Sequence, residues 1–329
     1  MDFQLSDDHR MLQDSLRGVL ARHSGDGLAP ALAELGIPEA LLTEAEGGFD
    51  GSGAAVALIF EELGRAGAPS TPVAAMIGAA ALAQAGHDAA VLAFADAEPG
   101  TRHDRGVAMR AEGECLTGRK TMVIGAEGAQ GFLVTTADAL WRVDRDAEGV
   151  EFRPYPLMDD QPGGDLILCD APATRLGALS GHDGVLARAV LAHAAYGLGV
   201  ITAAFDLTLD YLRQRKQFGQ PLIAFQALAH RMADLAVEVE QARSAVVNLS
   251  GHLDAEPALR DRHLQACKVT VGRAARLLAE ESVQLHGGIG MTEEYALGGI
   301  IRRLIAADTA MGDADYHLER FALAEPAFA

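Results

Sequence analysis

The sequence predicts a mainly helical protein with a small β domain in its middle, and three observations carry that expectation. Gly and Ala are heavily used, with 36 Gly among 329 residues, and aromatics supply only 5%, which suits closely packed helices better than an all-β sandwich. Apolar residues recur at three- and four-residue spacings toward both ends of the chain. From Ala89 to about residue 178 that texture gives way to short β-prone runs divided by Gly, Pro and acidic turns.

Ser6 followed by Asp7 and Asp8 marks a helix start, a capping hydroxyl with two acids at the positive dipole end, and Leu12, Leu16, Val19 and Leu20 form its apolar stripe. Pro38 and the run Glu46-Gly47-Gly48-Phe49-Asp50-Gly51-Ser52-Gly53 punctuate the chain before another helix over Ala54–Ala66, which carries Glu61-Glu62-Leu63-Gly64. Strands are expected at Val91–Ala95, Arg119–Ile124, Gly131–Thr136, Leu140–Val143 and Leu166–Cys169. A third regime begins near His182. Ala189–Phe205 is long, apolar and uncharged, the charged Asp210–Lys216 follows, and Pro221 ends or resets a helix. Ala227–Leu253 and Leu259–Leu285 then carry the pattern of an antiparallel bundle. The expected organisation is an all-helical domain over 1–88, a β domain over 89–178 and a helical bundle over 179–329, with no internal repeat.

Charge and composition exclude several function classes. With 27 Lys+Arg against 46 Asp+Glu the formal charge is −19, which excludes a bulk electrostatic nucleic-acid binder. A chain 49% hydrophobic and 22% charged buries a core rather than staying disordered. Cys115, Cys169 and Cys267 are scattered without CxxC spacing or a histidine cluster, so neither a metal site nor a disulfide framework is expected. The acidic start Met1-Asp2-Phe3-Gln4-Leu5-Ser6-Asp7-Asp8 is unlike the basic start of an export signal, and Ala66–Gly86, broken by Pro69 and Pro72, is too weakly apolar for a membrane span. A soluble, cytoplasmic protein is expected.

Two segments carry candidate chemistry. In Tyr211-Leu212-Arg213-Gln214-Arg215-Lys216-Gln217-Phe218-Gly219-Gln220-Pro221-Leu222, Arg215 can pair with a diphosphate, Phe218 can pack on a flat ring and Gly219 can end the turn; a basic helix C-terminus is the plainer reading. In Gln284-Leu285-His286-Gly287-Gly288-Ile289-Gly290-Met291-Thr292-Glu293-Glu294-Tyr295, a glycine-rich break lets backbone approach a ligand, and it equally stops a helix.

Together, and in this order, these segments resemble the acyl-CoA dehydrogenase family. The resemblance extends over essentially the whole chain through Leu35-Gly36, Gly47-Gly48, the Glu61-Glu62-Leu63-Gly64 helix and Thr117-Gly118-Arg119-Lys120. It implies an N-terminal helical domain, a β-barrel-like middle domain and a C-terminal four-helix bundle, an oligomer, and FAD as cofactor. The family sets a glutamate against the α-carbon of an acyl-CoA thioester as base, while the flavin accepts a hydride from the β-carbon. Carried over position by position, Arg215, Gln217, Phe218 and Gln226 match residues that reach across a subunit interface to a neighbour's FAD. Gln284, Gly287 and Gly288 match the loop supporting the adenosine diphosphate end of that cofactor.

Other positions depart from the family pattern. Its usual base lies nine residues beyond an arginine that is Arg302 here, and the count lands on Met311, before Gly312; a thioether cannot take up a proton. Some members carry the glutamate at the start of the first long bundle helix, a position that falls near Ala189, flanked by Arg188 and Val190. Asp313 and Asp315 lie near Met311 but read as first-turn acids of a helix. The loop Ala95-Asp96-Ala97-Glu98-Pro99-Gly100-Thr101-Arg102-His103-Asp104 only partly echoes the family's flavin loop, and Met122-Val123-Ile124 stands where Trp and Thr would contact the isoalloxazine. The reading that follows is one subunit of an α2β2-like acyl-CoA dehydrogenase. A companion chain would supply the glutamate and the complete flavin pocket, an electron-transfer flavoprotein would accept electrons, and the resemblance to split enzymes implies a bulky or dicarboxylic acyl-CoA substrate. The alternatives are a homo-oligomer using Asp313 or Glu294 as base, and a catalytically silent acyl-CoA-binding or scaffold paralogue.

Overall fold

The computed structural model describes residues 6–101, 108–292 and 294–324. The first five residues of the acidic start, Arg102-His103-Asp104 of the flavin-loop echo and Glu293 lie outside the described residues. Helices α1 (Asp7–Leu20), α2 (Leu28–Glu34), α3 (Ile37–Ala40), α4 (Gly53–Ala66) and α5 (Pro72–Gln84) open the chain. Ser6 Oγ accepts the His9 N–H at 3.1 Å and the acids Asp7 and Asp8 fill the first turn, so α1 starts where its capping residues encode a start. Strands β1 (Leu92–Ala95), β2 (Arg110–Glu112), β3 (Cys115–Lys120), β4 (Gly131–Thr135), β5 (Ala139–Asp144), β6 (Val150–Pro156), β7 (Pro162–Pro172) and β8 (Thr174–Ala178) follow. Next come α6 (Asp183–Gln214), the short hairpin β9 (Lys216–Gln217) and β10 (Gln220–Pro221), α7 (Gln226–Gly251), α8 (Pro257–His286), α9 (Leu297–Thr309) and α10 (Ala314–Leu323).

Spatially the chain forms two compact units. One gathers the described residues up to Ala31, Val56–Ala68 and those from Val190 onward; the other is Leu32–Ala55 with Pro69–Ala189. In the second unit the strands make two four-stranded sheets, ordered β1-β4-β5-β8 and β2-β3-β7-β6, antiparallel except for the β1–β4 pair. Phe132, Val134, Trp141 and Val143 of the first sheet and Leu116, Leu166 and Leu168 of the second belong to one buried core. The alternation of β3 that buries Leu116 also buries Lys120 on that face.

The strand expected over Arg119–Ile124 ends at Lys120. Met122 lies in the left-handed region at φ 53°, the Val123 N–H donates to Gly164 O, and Ile124 touches a sheet only through an isolated bridge to Phe94. A non-glycine residue at positive φ cannot continue a strand. Strand β2 is exposed throughout and lacks the alternation that would have marked it in the sequence, whereas β6 alternates, with Val150 and Phe152 packed against the core and Glu151 and Arg153 exposed.

In the helical unit, α8 packs against α7, α9 and α10, burying Leu264, Val271, Leu278 and Leu285 at the spacings the sequence displays. Helices α4 and α6 meet backbone to backbone. A Cβ on Gly64 would lie 2.1 Å from Tyr196 O, and one on Gly199 would lie 2.0 Å from Glu61 O, so glycine is required on both sides of the crossing. The segment Leu179–Gln214 is long and apolar enough to cross a membrane, but its most apolar window is 94% buried within the protein, as befits a core helix.

Candidate functional site

The two motifs converge at one end of the helical unit. Near the end of α6, Tyr211 stacks on His286 of α8 with ring centroids 4.4 Å apart, its hydroxyl donates to His286 O at 3.2 Å, and Tyr295 packs edge-on against it. One turn beyond Tyr211 comes Arg215, whose N–H donates to Tyr211 O, and then the β9–β10 hairpin. Its two central residues, Phe218 and Gly219, both have positive φ, 52° and 84°, the geometry of a type I′ turn. This turn thrusts the Phe218 ring outward, 92% exposed. Arg215, Gln217, Gln226, Gln284, Gly287 and Gly288 are exposed as well.

The loop after α8 is bare backbone. Gly287 has φ +65°, and neither Gly287 nor Gly288 has any atom within 4 Å of where a Cβ would stand. Beneath it His286 is buried; its Nδ1–H donates to Ser282 O at 2.8 Å, and burial lowers its pKa despite that bond. The ring is therefore neutral with a lone pair on Nε2, and His286 Nε2 and Ser282 Oγ have no hydrogen-bond partner among the described residues. Open backbone, an exposed guanidinium and a projecting flat ring fit the diphosphate and ring systems of FAD.

The β unit does not fit that group. Tyr155 of β6 donates its hydroxyl to Asp165 Oδ1 at 2.8 Å, accepts the Met122 N–H at 3.1 Å and lies 3.1 Å from Thr121 Oγ1. Arg119 pairs with Asp165 as well. Burial pushes the Asp165 carboxyl up, but hydrogen bonds from Arg119, Tyr155 and Thr121 prevail and hold it below the usual range. Donors just past β3 are thus already used, Met122 N–H by Tyr155 and Val123 N–H by Gly164 O, while the exposed Met122 side chain offers neither aromatic ring nor hydroxyl. The neighbouring loop is fastened by a fully buried Lys120, whose Nζ donates to Asp96 O, Glu98 Oε1 and Thr135 Oγ1 at 3.0, 2.8 and 3.1 Å.

Met311, where the count along the sequence expects the base, sits between α9 and α10 with φ 58°. The carboxylates around it are committed elsewhere. Asp308 accepts from Arg276 Nε at 2.6 Å and from Ala314 N at 3.1 Å, and Asp313 caps α10 by accepting the Tyr316 N–H at 2.8 Å. Glu294 is exposed. Near the second position counted for a base, Ala189 is fully buried, and Arg188 beside it binds both carboxylate oxygens of Glu46. Burial raises Glu46, and bonds from Arg188 and Thr43 more than reverse this, so the carboxylate stays ionised and is a poor proton acceptor.

Tyr155, Lys268 and the Glu46 partner of Arg188 carry no sequence signal. Each acts through a partner remote in sequence, and pattern reading assigns Lys and Glu to the surface.

Comparison with known proteins gives a consistent picture. The model of the acyl-CoA dehydrogenase C-terminal domain matches residues 184–324. The acyl-CoA dehydrogenase IpdE2 of Mycobacterium tuberculosis (strain ATCC 25618 / H37Rv) is 28% identical over 305 residues, 88% of this chain and 88% of that protein. A variant of the Tcur3481-Tcur3483 steroid ACAD superposes with a TM-score of 0.85 at 26% identity, covering 96% of this chain and 97% of the other. The ChsE4-ChsE5 complex from Mycobacterium tuberculosis gives a TM-score of 0.86 at 22% identity over 99% of this chain and 100% of the other, which is a likeness of fold.

Proposed function

Because this chain belongs to the acyl-CoA dehydrogenase family, a family of FAD-binding oxidoreductases, we propose that it is one subunit of a heteromeric acyl-CoA dehydrogenase. In this reading Arg215, Gln217, Phe218, Gln226, Gln284, Gly287 and Gly288 hold the FAD of a companion chain, which also supplies the glutamate base. The observation that supports it is Met311: a residue with no proton acceptor stands where the count along the sequence expects the base, and the nearby acids Asp308 and Asp313 are bound to other groups. The two-component name of the Tcur3481-Tcur3483 relative supports such an assembly.

The chemistry divides accordingly. When bound, FAD would supply the acceptor for a hydride from the thioester β-carbon, with the α-proton going to a base on the companion chain. This chain's Arg215 would set its guanidinium donors on the diphosphate, Phe218 would cover a ring face, and the open backbone at Gly287 and Gly288 would admit the adenosine diphosphate end. The spent donors beside Tyr155 keep the β unit from offering a second flavin the same hold. The substrate is a bulky or dicarboxylic acyl-CoA, and an electron-transfer flavoprotein receives the electrons.

Flavin content tests this reading. Purified alone, the chain retains well under one FAD per protomer, and co-expression with its companion restores a yellow complex. Within that complex Arg215→Ala weakens FAD retention roughly 10- to 100-fold, the loss of charge-assisted bonds worth about 1.5–3 kcal/mol, whereas Arg213→Ala has little effect. One FAD per protomer in the isolated chain would overturn the proposal.

A further inference from the structure

The turn between α9 and α10 is held from two sides by side chains. Ala307, Asp308 and Ala310 direct their carbonyl oxygens at Lys268 Nζ, at 3.2, 3.1 and 2.8 Å, and Met311 O lies 3.0 Å from His317 Nε2. Lys268 is only 1% exposed, although it lies at mid-length of α8 on the face that packs toward α9. A Cβ on Gly312 would come within 2.6 Å of the Tyr316 ring, so only glycine fits beside it on this backbone.

An ammonium has three N–H donors and no acceptor, and the cage has three carbonyls. A neutral amine has two donors and a lone pair, which would face one carbonyl unfavourably. The fit is therefore complete for the charged form alone. A cation at a helix C-terminus also gains from the dipole, and that gain vanishes on deprotonation.

We propose that Lys268 is a proton-gated positioning residue. As an ammonium it holds the end of α9 so that the side chain at 311 is presented from a left-handed turn; as an amine it releases one carbonyl, and residues 309–312 relax. This rests on the geometry of the turn and holds whichever chain carries the flavin.

Lys268 is faced from α8, α9, the turn and α6, and the turn it holds is also touched by His317 of α10, which pairs with Gln265 Oε1. Burial lowers the Lys268 pKa to about 8 against the pull of Asp308 on α9, Cys267 on α8 and Asp313 in the turn. Burial raises the Cys267 thiol to about 12, and burial together with Lys268 lowers His193 of α6 to about 3, so both stay neutral from pH 6.5 to 9.5.

Methyl NMR on the full chain tests the idea. With methyl-labelled methionine, nine methyl signals are expected, and Met311→Leu identifies the one from Met311. From pH 6.5 to 9.5 that signal shifts with a midpoint about pH 8, while the signal of Met232, buried in α7, stays in place. Lys268→Leu places the Met311 signal at its high-pH position already at pH 7 and abolishes the titration. Lys268→Arg, charged throughout, retains the neutral-pH position. A Met311 signal constant over this range in the unmodified chain would overturn the proposal, whatever the variants do; so would a titration that persists in Lys268→Leu.

Discussion

A methionine in the left-handed region costs about 1 kcal/mol or more of backbone energy, and Met311 at φ 58° bears that cost in a turn fixed by Lys268, His317 and Tyr316. In the proposed reading, this turn is the scaffold for a base whose carboxylate is missing. Met311→Glu is therefore expected to restore proton abstraction from an acyl-CoA thioester, read as α-proton exchange with deuterated water and requiring no flavin. A positioned general base contributes about 10²- to 10⁴-fold, so mass spectrometry will register it; no gain over the unmodified chain would show that position 311 does not reach the α-carbon. Asp313→Asn serves as control and leaves the activity of the intact assembly unchanged, because Asn caps a helix as well as Asp does. A collapse of activity, with folding and FAD content preserved, would make Asp313 the base. Asp313 was legible as a helix-start acid because capping is local. Lys268 was not, because its partners lie about forty residues away and a lysine on a helix reads as solvated.

At the scale of elements, the departure of the chain from β3 decides what the β unit can bind, and a buried ion pair fixes the loop beside it. Lys120 and Glu98 are both fully buried at 2.8 Å, and Glu98 also accepts the N–H groups of Ala108 and Met109. Removing one partner leaves an uncompensated charge, so Lys120→Met is expected to cost about 3–5 kcal/mol, whereas Lys120→Met with Glu98→Gln recovers part of that loss. Thermal unfolding of the three proteins checks it, and equal midpoints for the single and double variants would show that the pair is not coupled. The strands β1, β4 and β5 lay close to their expected positions because each buries apolar residues in succession or alternation, whereas β7 runs from Pro162 to Pro172 and extends well beyond the expected Leu166–Cys169 on both sides. The end of β3 was illegible: β-prone residues run on through Ile124, and only the tertiary demand of Tyr155 for the Met122 N–H shows why the strand stops at Lys120.

At the scale of the whole molecule, texture along the sequence separates helical and β-prone runs, while contacts in space gather α4 with the helices after Val190 into one unit. The glycines that permit this, Gly64 and Gly199, are visible as residues, but their pairing across 135 positions follows only from the packed backbones. Two opposing electrostatic effects then set the response to acid. A chain of charge −19 repels itself at pH 7, and that repulsion fades toward its isoelectric point near 4.9, which favours the folded state. Against this stand Glu46, Glu98 and Asp165, whose folded pKa values all lie below their ordinary ones. For Glu98, burial alone would raise the value, and the bonds from Lys120, Ala108 and Met109 reverse it. A carboxylate with a lowered folded pKa binds fewer protons folded than unfolded. Its stabilising contribution is complete above the ordinary value and is lost as pH falls through the folded one. The unfolding midpoint is therefore expected to hold or rise slightly from pH 7 to about 5 and to fall steeply below about 4. Lys120→Met with Glu98→Gln should flatten that fall by removing one of the three carboxylates, and an acid limb of unchanged steepness would place the titrating groups elsewhere.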